Sequence, residues 1–280
     1  MDNYQLTQDQ ITAYGVCLRT EEHTPSTIEK YLRDTRAFAV WLEGRPVTRE
    51  LAAEWRDRLL SSGHKPSTVN SMLAAVNGLF RFLGWGIRVK FLKVQRRLFR
   101  DQSRELTRGE YDLLVNTARA AGKERLALLM EAVCATGVRV SEVKYLTVEA
   151  AQCGRAEIAL KGKIRMILLP NKLCRKLLKY ARKQKIASGE IFLTRSGRSL
   201  SRRQIWAEMK QLCKATGVAS EKVYPHNLRH LFARTFYQAC KDIARLADVL
   251  GHSSIETTRF YLVTTGAEQV RQLDRLGLVS

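Results

Sequence analysis

Helix-start signals followed by apolar stripes recur through the first 84 residues, and they constrain the fold of this chain most strongly. Pro25 precedes Ser26 in one start, and Pro66 precedes Ser67 in another. Proline and a hydroxyl side chain both suit the first turn of a helix. Apolar residues then recur at spacings of three and four, as in an amphipathic helix. We predict a helical domain over residues 1–87, with helices near 8–18, 26–42, 48–60 and 67–83.

A second domain is predicted over residues 105–280. Thr107 and Glu110 form a capping-box pattern for its first helix. Gly137 ends a second predicted helix, near 124–135. Helices are predicted again from residue 173 towards the end of the chain.

Two short segments of the second domain are typical of β-strands. Residues 157–160 and 165–169 are apolar-rich and are separated by Lys161-Gly162-Lys163, which favours a hairpin turn. Pro170 is predicted to end the second strand. The whole chain is therefore predicted to be mainly α-helical with a small β-sheet.

The charge of the chain is strongly positive. It has 48 basic and 27 acidic side chains, for a formal net charge of +21. The first 104 residues hold 17 basic and 11 acidic side chains, and the remainder holds 31 and 16. A surplus spread over both halves favours a polyanionic partner such as DNA. A ribosome-associated or merely soluble basic protein is the alternative.

Residues 88–104, between the two predicted domains, form a basic segment in which Asp101 is the one acidic residue. We predict an interdomain linker that lies along DNA phosphates. A solvated flexible tether is the alternative. The candidate DNA-binding side chains are Arg88, Lys90, Lys93, Arg96, Arg97 and Arg100.

The sequence predicts neither a membrane nor a secreted location. The first five residues have no basic start or apolar run, and the longest apolar stretch, residues 126–135, is broken by Glu131. The six cysteines show no C-x-x-C spacing, so we expect reduced thiols and no zinc site. We predict a cytoplasmic, nucleoid-associated protein that needs neither a metal nor a cofactor.

Three segments carry polar residues suited to attack on a phosphodiester. The anionic oxygens repel a nucleophile and the alkoxide leaves poorly, so an enzyme must supply cations, a nucleophile and a proton donor. In the first segment Arg139 follows Gly137 in a predicted tight turn. Ser141 is predicted to cap the next helix and Glu142 to orient the guanidinium. A surface ion pair is the plainer interpretation of Arg139.

In the second segment, His226 and Arg229 follow Pro225 at a spacing of three. This spacing places both side chains on one face of a first helical turn. The N-terminus of a helix also attracts phosphate groups. A structural histidine is the alternative.

In the third segment, Ser253 and Glu256 form a capping pattern. It predicts a helix with His252 just before its start and Tyr261 two turns inside. A phenol, with a pKa near 10, is a poor nucleophile unless cations or a base activate it. A buried core tyrosine is the alternative.

In order and spacing, residues 136–142, 226–230 and 251–261 resemble the tyrosine recombinase (phage integrase) family. The resemblance covers nearly the whole chain and implies a helical, SAM-like core-binding domain followed by a catalytic domain. Lys163 is a reserve candidate for the family's lysine, because this hairpin turn is shorter than usual for the family. The catalytic residues that the resemblance implies are Arg139, Lys161, His226, Arg229, His252 and Tyr261.

The resemblance also implies a mechanism. Tyr261 would attack a DNA phosphate to form a 3′-phosphotyrosine, and Lys161 would protonate the departing 5′-oxygen. The two arginines would hold the phosphate oxygens. His226 would act as general base or oxyanion donor, and His252 would hydrogen-bond the phosphate. No cofactor is expected, because the ester conserves the energy of the broken bond.

Double-stranded DNA with a specific recombination site is the implied partner, with a homotetramer as the synaptic complex. In the tail from about residue 266, Val270, Leu273 and Leu276 fall on one helical face. This face is expected to contact a neighbouring protomer, and docking on its own domain is the alternative. The compact layout favours a small Xer-like enzyme for integration, excision or resolution. A type IB topoisomerase or a non-catalytic DNA-binding protein are the alternative functions.

Overall fold

The computed structural model describes residues 4–94, 102–160, 163–259, 261, 270–271 and 273–277, and for residues 102, 160 and 163 it describes the backbone alone. The chain divides into two compact units, Met1–Arg96 and Arg97–Ser280. Each unit has its own buried apolar core. None of the described helices is long and apolar enough to cross a membrane.

The first unit contains the four predicted helices, and their starts follow the predicted signals. Proline occupies the first position of the second and fourth helices, and the Thr48 hydroxyl accepts the N–H of Leu51 at the start of the third. The helices are α1 (Gln8–Thr20), α2 (Pro25–Leu42), α3 (Arg49–Ser61) and α4 (Pro66–Phe82).

The core of the first unit is aromatic. The buried ring of Phe38 lies 5.0 Å from Trp55 and 5.7 Å from Phe80, in edge-on geometry at both contacts. Edge-on pairs add to the stabilisation that burial of the rings gives. Val89 is buried in the same cluster, so the packed part of this unit extends past residue 87 into the predicted linker. Apolar side chains that alternate with cations after α4 explain this packing.

The second unit is mainly helical with one antiparallel hairpin, as predicted. Thr107 and Glu110 form the predicted capping box at the start of α5. The helices are α5 (Arg108–Ala120), α6 (Glu124–Thr136), α7 (Val148–Cys153), α8 (Asn171–Lys183), α9 (Arg202–Thr216), α10 (Pro225–Cys240), α11 (Ile243–Leu250) and α12 (Ile255–Arg259).

Helix α6 lies in the centre of this unit, in contact with α5, α8, α9 and α10. Gly137 ends it with a φ of +66°, in the left-handed region that favours glycine. A Cβ at Gly137 would also overlap the ring of Phe232 on α10. Only glycine therefore fits where α6 meets α10 and the chain turns into Arg139.

The hairpin consists of β1 (Arg155–Leu160) and β2 (Lys163–Leu168). Successive strand residues point to opposite faces. Ile164, Met166 and Leu168 are exposed, whereas Ile167 is buried. Arg165 shares the inward face with Ile167, and this alternation turns a charged side chain towards the interior.

Candidate active site

Glu142 holds Arg139 in the turn after α6. Glu142 Oε1 lies 2.7 Å from Arg139 Nη1, and Oε2 accepts the backbone N–H of Arg139 at 2.9 Å. Arg139 Nη2 also donates to the carbonyl oxygen of Gly251 at 3.1 Å. The prediction that Ser141 caps the next helix is wrong, because a 3-10 helix begins at Val140 and Glu142 binds the preceding N–H instead. The Arg139 side chain stays 38% exposed, so an incoming anion can reach it.

Arg229 is buried, with 1% of its surface exposed. Its guanidinium donates to the carbonyl oxygen of Gly137 and, at 2.7 Å, to that of Leu250. These carbonyls lie at the ends of α6 and α11, where partial negative charge accumulates. The same guanidinium therefore joins the ends of two helices that are far apart in the sequence.

The surroundings of Arg229 act on its pKa in opposite directions. Burial lowers the pKa of the guanidinium and nearby Arg139 lowers it further, whereas a hydrogen bond with the Tyr261 hydroxyl and the charge of Glu142 raise it. The buried cation of Arg229 therefore interacts electrostatically with the candidate nucleophile.

Arg165 on β2 is a site residue that the sequence patterns did not reveal. Its Nη1 lies 3.4 Å from Glu142 Oε2, and its Nη2 donates to the carbonyl oxygen of Val249 at 3.1 Å. Burial lowers the pKa of Arg165 to about 10, and Glu142 opposes this shift. The sequence feature that could have identified Arg165 is its place at an inward-facing position of the predicted strand. Gly251 has no room for a Cβ, because that atom would overlap the Arg165 side chain.

The hydrogen bonds of His252 define its tautomer. Arg229 Nη2 lies 3.0 Å from His252 Nε2, and His252 Nδ1 lies 2.9 Å from the Thr258 hydroxyl. An arginine N–H can only donate, so Nε2 accepts and the imidazole proton resides on Nδ1. Thr258, which is fully buried, therefore accepts from His252.

Tyr261 lies just beyond α12 and not two turns inside a helix, so that prediction is wrong. The helix ends at Arg259, and the backbone N–H of Tyr261 donates to the carbonyl oxygen of Thr258 at 2.9 Å. At the start of the helix it is Ser254, and not Ser253, whose hydroxyl accepts the N–H of Glu256. Helix α12, at Ile255–Arg259, thus begins one residue later than predicted and ends before Tyr261.

The phenol ring of Tyr261 is enclosed by two histidines. Tyr261 is 7% exposed, its ring is stacked at 5.8 Å on His252, and His230 meets it edge-on at 4.8 Å. His230 also contacts His226, at 4.6 Å. His230 was not among the predicted site residues, although it lies one helical turn after His226 and thus on the same face of α10.

The three histidines of the site are neutral near pH 7. Burial, together with nearby cations, lowers the pKa of His252 to about 4. Burial, His226 and nearby cations lower that of His230 to about 3. The pKa of His226 is lowered by burial and by Arg229 and Arg139. A neutral imidazole can accept a proton, as a general base must.

The remaining predicted site residues belong to the first unit or have side chains outside the described part of the chain. Lys161, Arg96, Arg97 and Arg100 are outside them, and for Lys163 only the backbone is described. Arg88, Lys90 and Lys93 are exposed on the first unit. Within the described ranges, no three His, Cys, Asp or Glu side chains are grouped as a metal site would need.

Charge in the described cluster is unbalanced. Arg139, Arg165 and Arg229 surround a single carboxylate, that of Glu142. Three guanidiniums against one carboxylate give the cluster an excess of positive charge, to which the neutral histidines add nothing. The cluster is partly desolvated, and this strengthens electrostatic interactions within it. An anion with several oxygens, such as a phosphodiester, would relieve this excess.

Comparison with known proteins agrees with this geometry. The model of the phage integrase family matches residues 104–267, and the model of the phage integrase N-terminal SAM-like domain matches residues 11–86. The chain belongs to the phage integrase family. It is thus a tyrosine recombinase, an enzyme type that exchanges DNA strands.

Relatives within this family cover most of the chain. Tyrosine recombinase XerC of Roseiflexus castenholzii is 31% identical over 90% of this chain and 88% of its own length. Tyrosine recombinase XerD of Brucella suis is 31% identical over 84% of this chain and 86% of its own. A lambda integrase tetramer solved on a Holliday junction has the same fold, with a TM-score of 0.74 at 19% identity over 93% of this chain and 78% of that one.

The low pKa of His230 predicts that acid destabilises the protein. Below about pH 6.5 the unfolded chain binds a proton at this residue, and the folded chain does not until about pH 3. The contribution of neutral His230 to the free energy of unfolding is therefore fully present above about pH 6.5 and decreases as the pH falls below it. His230 alone should lower the free energy of unfolding by roughly 3 kcal/mol between about pH 7 and pH 4.

Urea unfolding of wild type and His230→Gln at both pH values measures this effect. The variant should lose distinctly less stability on acidification. The same substitution at exposed His64 serves as control, and an equal pH dependence of wild type and His230→Gln would contradict the assignment.

Proposed function

We propose that this protein is a site-specific tyrosine recombinase that cuts and rejoins DNA through a 3′-phosphotyrosine. The surroundings of Arg229 carry the proposal, because this one buried guanidinium lies 3.0 Å from His252, and the ring of Tyr261 is stacked on that histidine at 5.8 Å. A cation beside the phenol can hold a phosphate oxygen next to it, and a tyrosine oxygen can then attack as the nucleophile. The substrate is double-stranded DNA with a specific recombination site.

In the proposed reaction, the Tyr261 oxygen attacks the scissile phosphorus and the bond to the 5′-oxygen breaks. His226 accepts the phenol proton or donates to the phosphate, and Lys161 supplies the proton that the 5′-oxygen takes up. The 5′-hydroxyl of the partner strand then attacks the phosphotyrosine and releases Tyr261. The number of phosphoester bonds is unchanged, so no external energy source enters the balance.

Arg139 and Arg229 are proposed to hold the non-bridging oxygens, with Glu142 and Arg165 keeping Arg139 in place. His252 is proposed to hydrogen-bond the phosphate. Its Nε2 accepts from Arg229 in the structure, so to donate to a phosphate oxygen it must first gain a proton. A bound phosphate would favour this gain, because a nearby anion raises the pKa of an imidazole.

We propose a core-binding domain over residues 1–87, a linker over 88–104 and a catalytic domain over 105–280, acting as a homotetramer on DNA. The family matches over 11–86 and 104–267 support this division. The tail from about residue 266 is proposed to contact a neighbouring protomer. In its support, the three apolar residues of its predicted face, Val270, Leu273 and Leu276, are each more than half exposed.

The proposed location is the cytoplasm, at the nucleoid. Two other functions remain alternatives: a type IB topoisomerase and a DNA-binding protein without catalysis. A topoisomerase would relax supercoiled plasmid that lacks a recombination site. A non-catalytic protein would bind DNA without any covalent adduct. Capture of covalent adducts on genomic DNA provides the site sequence for the experiments below.

Tyr261→Phe should abolish covalent linkage to a nicked suicide substrate and leave DNA binding intact, because it removes only the attacking oxygen. Denaturing gels score the adduct, and gel shifts score binding. Tyr145→Phe is the matched control, since its hydroxyl bonds to the carbonyl oxygen of Ala159 outside the cluster. An adduct formed by Tyr261→Phe would exclude this nucleophile.

Lys161→Ala should slow cleavage of an ordinary phosphodiester strongly. It should matter much less on a 5′-bridging phosphorothiolate, because a thiolate leaves without a proton. Cleavage rates on the two substrates, compared as a ratio, measure the effect. Equal losses on both would argue against a general acid, and a substrate-selective defect in Lys163→Ala alone would move the role to that residue.

Thr258→Val should slow cleavage roughly threefold to tenfold, because it removes the hydroxyl that accepts from His252 Nδ1 while preserving the shape of the side chain. Thr258→Ser keeps the hydroxyl and should restore the rate. Exposed Thr257→Val is the control. Single-turnover cleavage rates measure the effect. If Thr258→Ser is as slow as Thr258→Val, the hydroxyl is not the cause of the loss.

A further inference from the structure

Two asparagines on α4 hold the chain that follows this helix. Asn77 Nδ2 donates to the carbonyl oxygen of Val89, and Asn77 Oδ1 accepts the N–H of Val89, both at 2.9 Å. Asn70 binds Leu92 in the same way, at 2.9 and 2.8 Å. Each amide thus satisfies both backbone groups of one residue, as a neighbouring strand would.

The spacing of the two asparagines fits an extended chain that runs antiparallel to α4. Seven residues of helix rise about 10.5 Å, and the three steps from Val89 to Leu92 span about 10 Å when extended. The asparagine nearer the end of α4 accordingly binds the nearer residue, Val89. Sequence patterns did not reveal Asn70 or Asn77, because a lone polar residue on a helix usually faces water.

This arrangement fixes the direction of the side chains between and beside the anchors. Val89 is buried and Leu92 is half-buried, whereas Arg88, Lys90 and Lys93 are exposed. The described residues offer none of these three cations an ion-pair partner within 4.0 Å. Arg81 and Arg88 also line one groove, of about 640 Å³, beside the segment. The cations of residues 88–93 therefore stand on a backbone held by four hydrogen bonds.

We propose that Asn70 and Asn77 are positioning residues that hold residues 88–93 as a rigid basic strip for the phosphate backbone of double-stranded DNA. The inference rests on the proposed function for its choice of DNA. A strip ordered before binding does not lose chain entropy on contact with DNA, and preorganisation of this kind increases affinity. A tether of the same charge but without the anchors would bind more weakly.

Binding to a fluorescent duplex of arbitrary sequence, measured by anisotropy over a series of salt concentrations, tests the strip. Replacing Arg88, Lys90 and Lys93 by Gln should reduce the slope of log K against log salt by about 2.7, at about 0.9 per phosphate contact. Gln at exposed Arg49, Arg58 and Lys65 removes the same charge elsewhere on this unit and should change the slope less. Equal changes in both triple variants would overturn the strip.

The role of the asparagines is tested by a double-mutant cycle. Asn70→Leu with Asn77→Leu should weaken DNA binding roughly tenfold when the three cations are present. In the variant with Gln at 88, 90 and 93, the same two substitutions should leave the affinity for DNA almost unchanged, because the asparagines act through the cations. Equal losses in both backgrounds would show a merely structural role. Exposed Asn116→Leu is the control.

If the double variant does not fold, the order of residues 88–93 can still be tested in the wild-type protein. Hydrogen exchange at the amides of Val89 and Leu92 should be slow without DNA, and trypsin should cut slowly after Lys90. Rapid exchange at both amides would overturn the proposal. These experiments require neither cleavage nor a known target site, so failure to form the Tyr261 adduct would sink the proposed function and leave the strip standing.

Discussion

The second unit depends on the burial of one guanidinium. Arg229 is among the largest fully buried side chains, and a buried cation is costly unless polar partners surround it. Its partners are the carbonyl oxygens of Gly137 and Leu250, at the ends of two helices, together with His252, on which the ring of Tyr261 is stacked. Fold and site therefore share a single interaction: the contacts that stabilise the cation also bring the candidate nucleophile to it.

A second layer of contacts surrounds Glu142. This carboxylate contacts Arg139 and Arg165, and the two arginines also bind backbone carbonyls of Gly251 and Val249. Arg165 lies on β2, which begins at Lys163, the reserve candidate for the general acid. Glu142 thus joins the strand that carries Arg165 to the turn that carries Arg139. Preorganised cations of this kind need no rearrangement as charge develops on a phosphate.

Sequence patterns predicted the elements well where local signals decide them. Proline starts, capping boxes and glycine ends gave the helices of the first unit and α5 and α6 of the second, because those signals act within a few residues. They missed Arg165 and Thr258, whose roles come from partners 84 and 6 residues away. They placed Tyr261 inside a helix because helical spacing continues past Arg259, whereas contacts made by the fold decide where α12 ends.

The two units hold their cations differently: the second unit encloses its guanidiniums, and the first unit exposes its cations on an anchored backbone. In the second unit the guanidinium of Arg229 is buried and the side chain of Arg165 is only 12% exposed, so salt screens their short-range interactions with charges poorly. On the first unit Arg88, Lys90 and Lys93 are exposed on an anchored backbone, and as the proposed strip they would act by releasing counterions from DNA. Affinity for DNA should therefore depend steeply on salt, while the chemical step, once DNA is bound, should depend on it little.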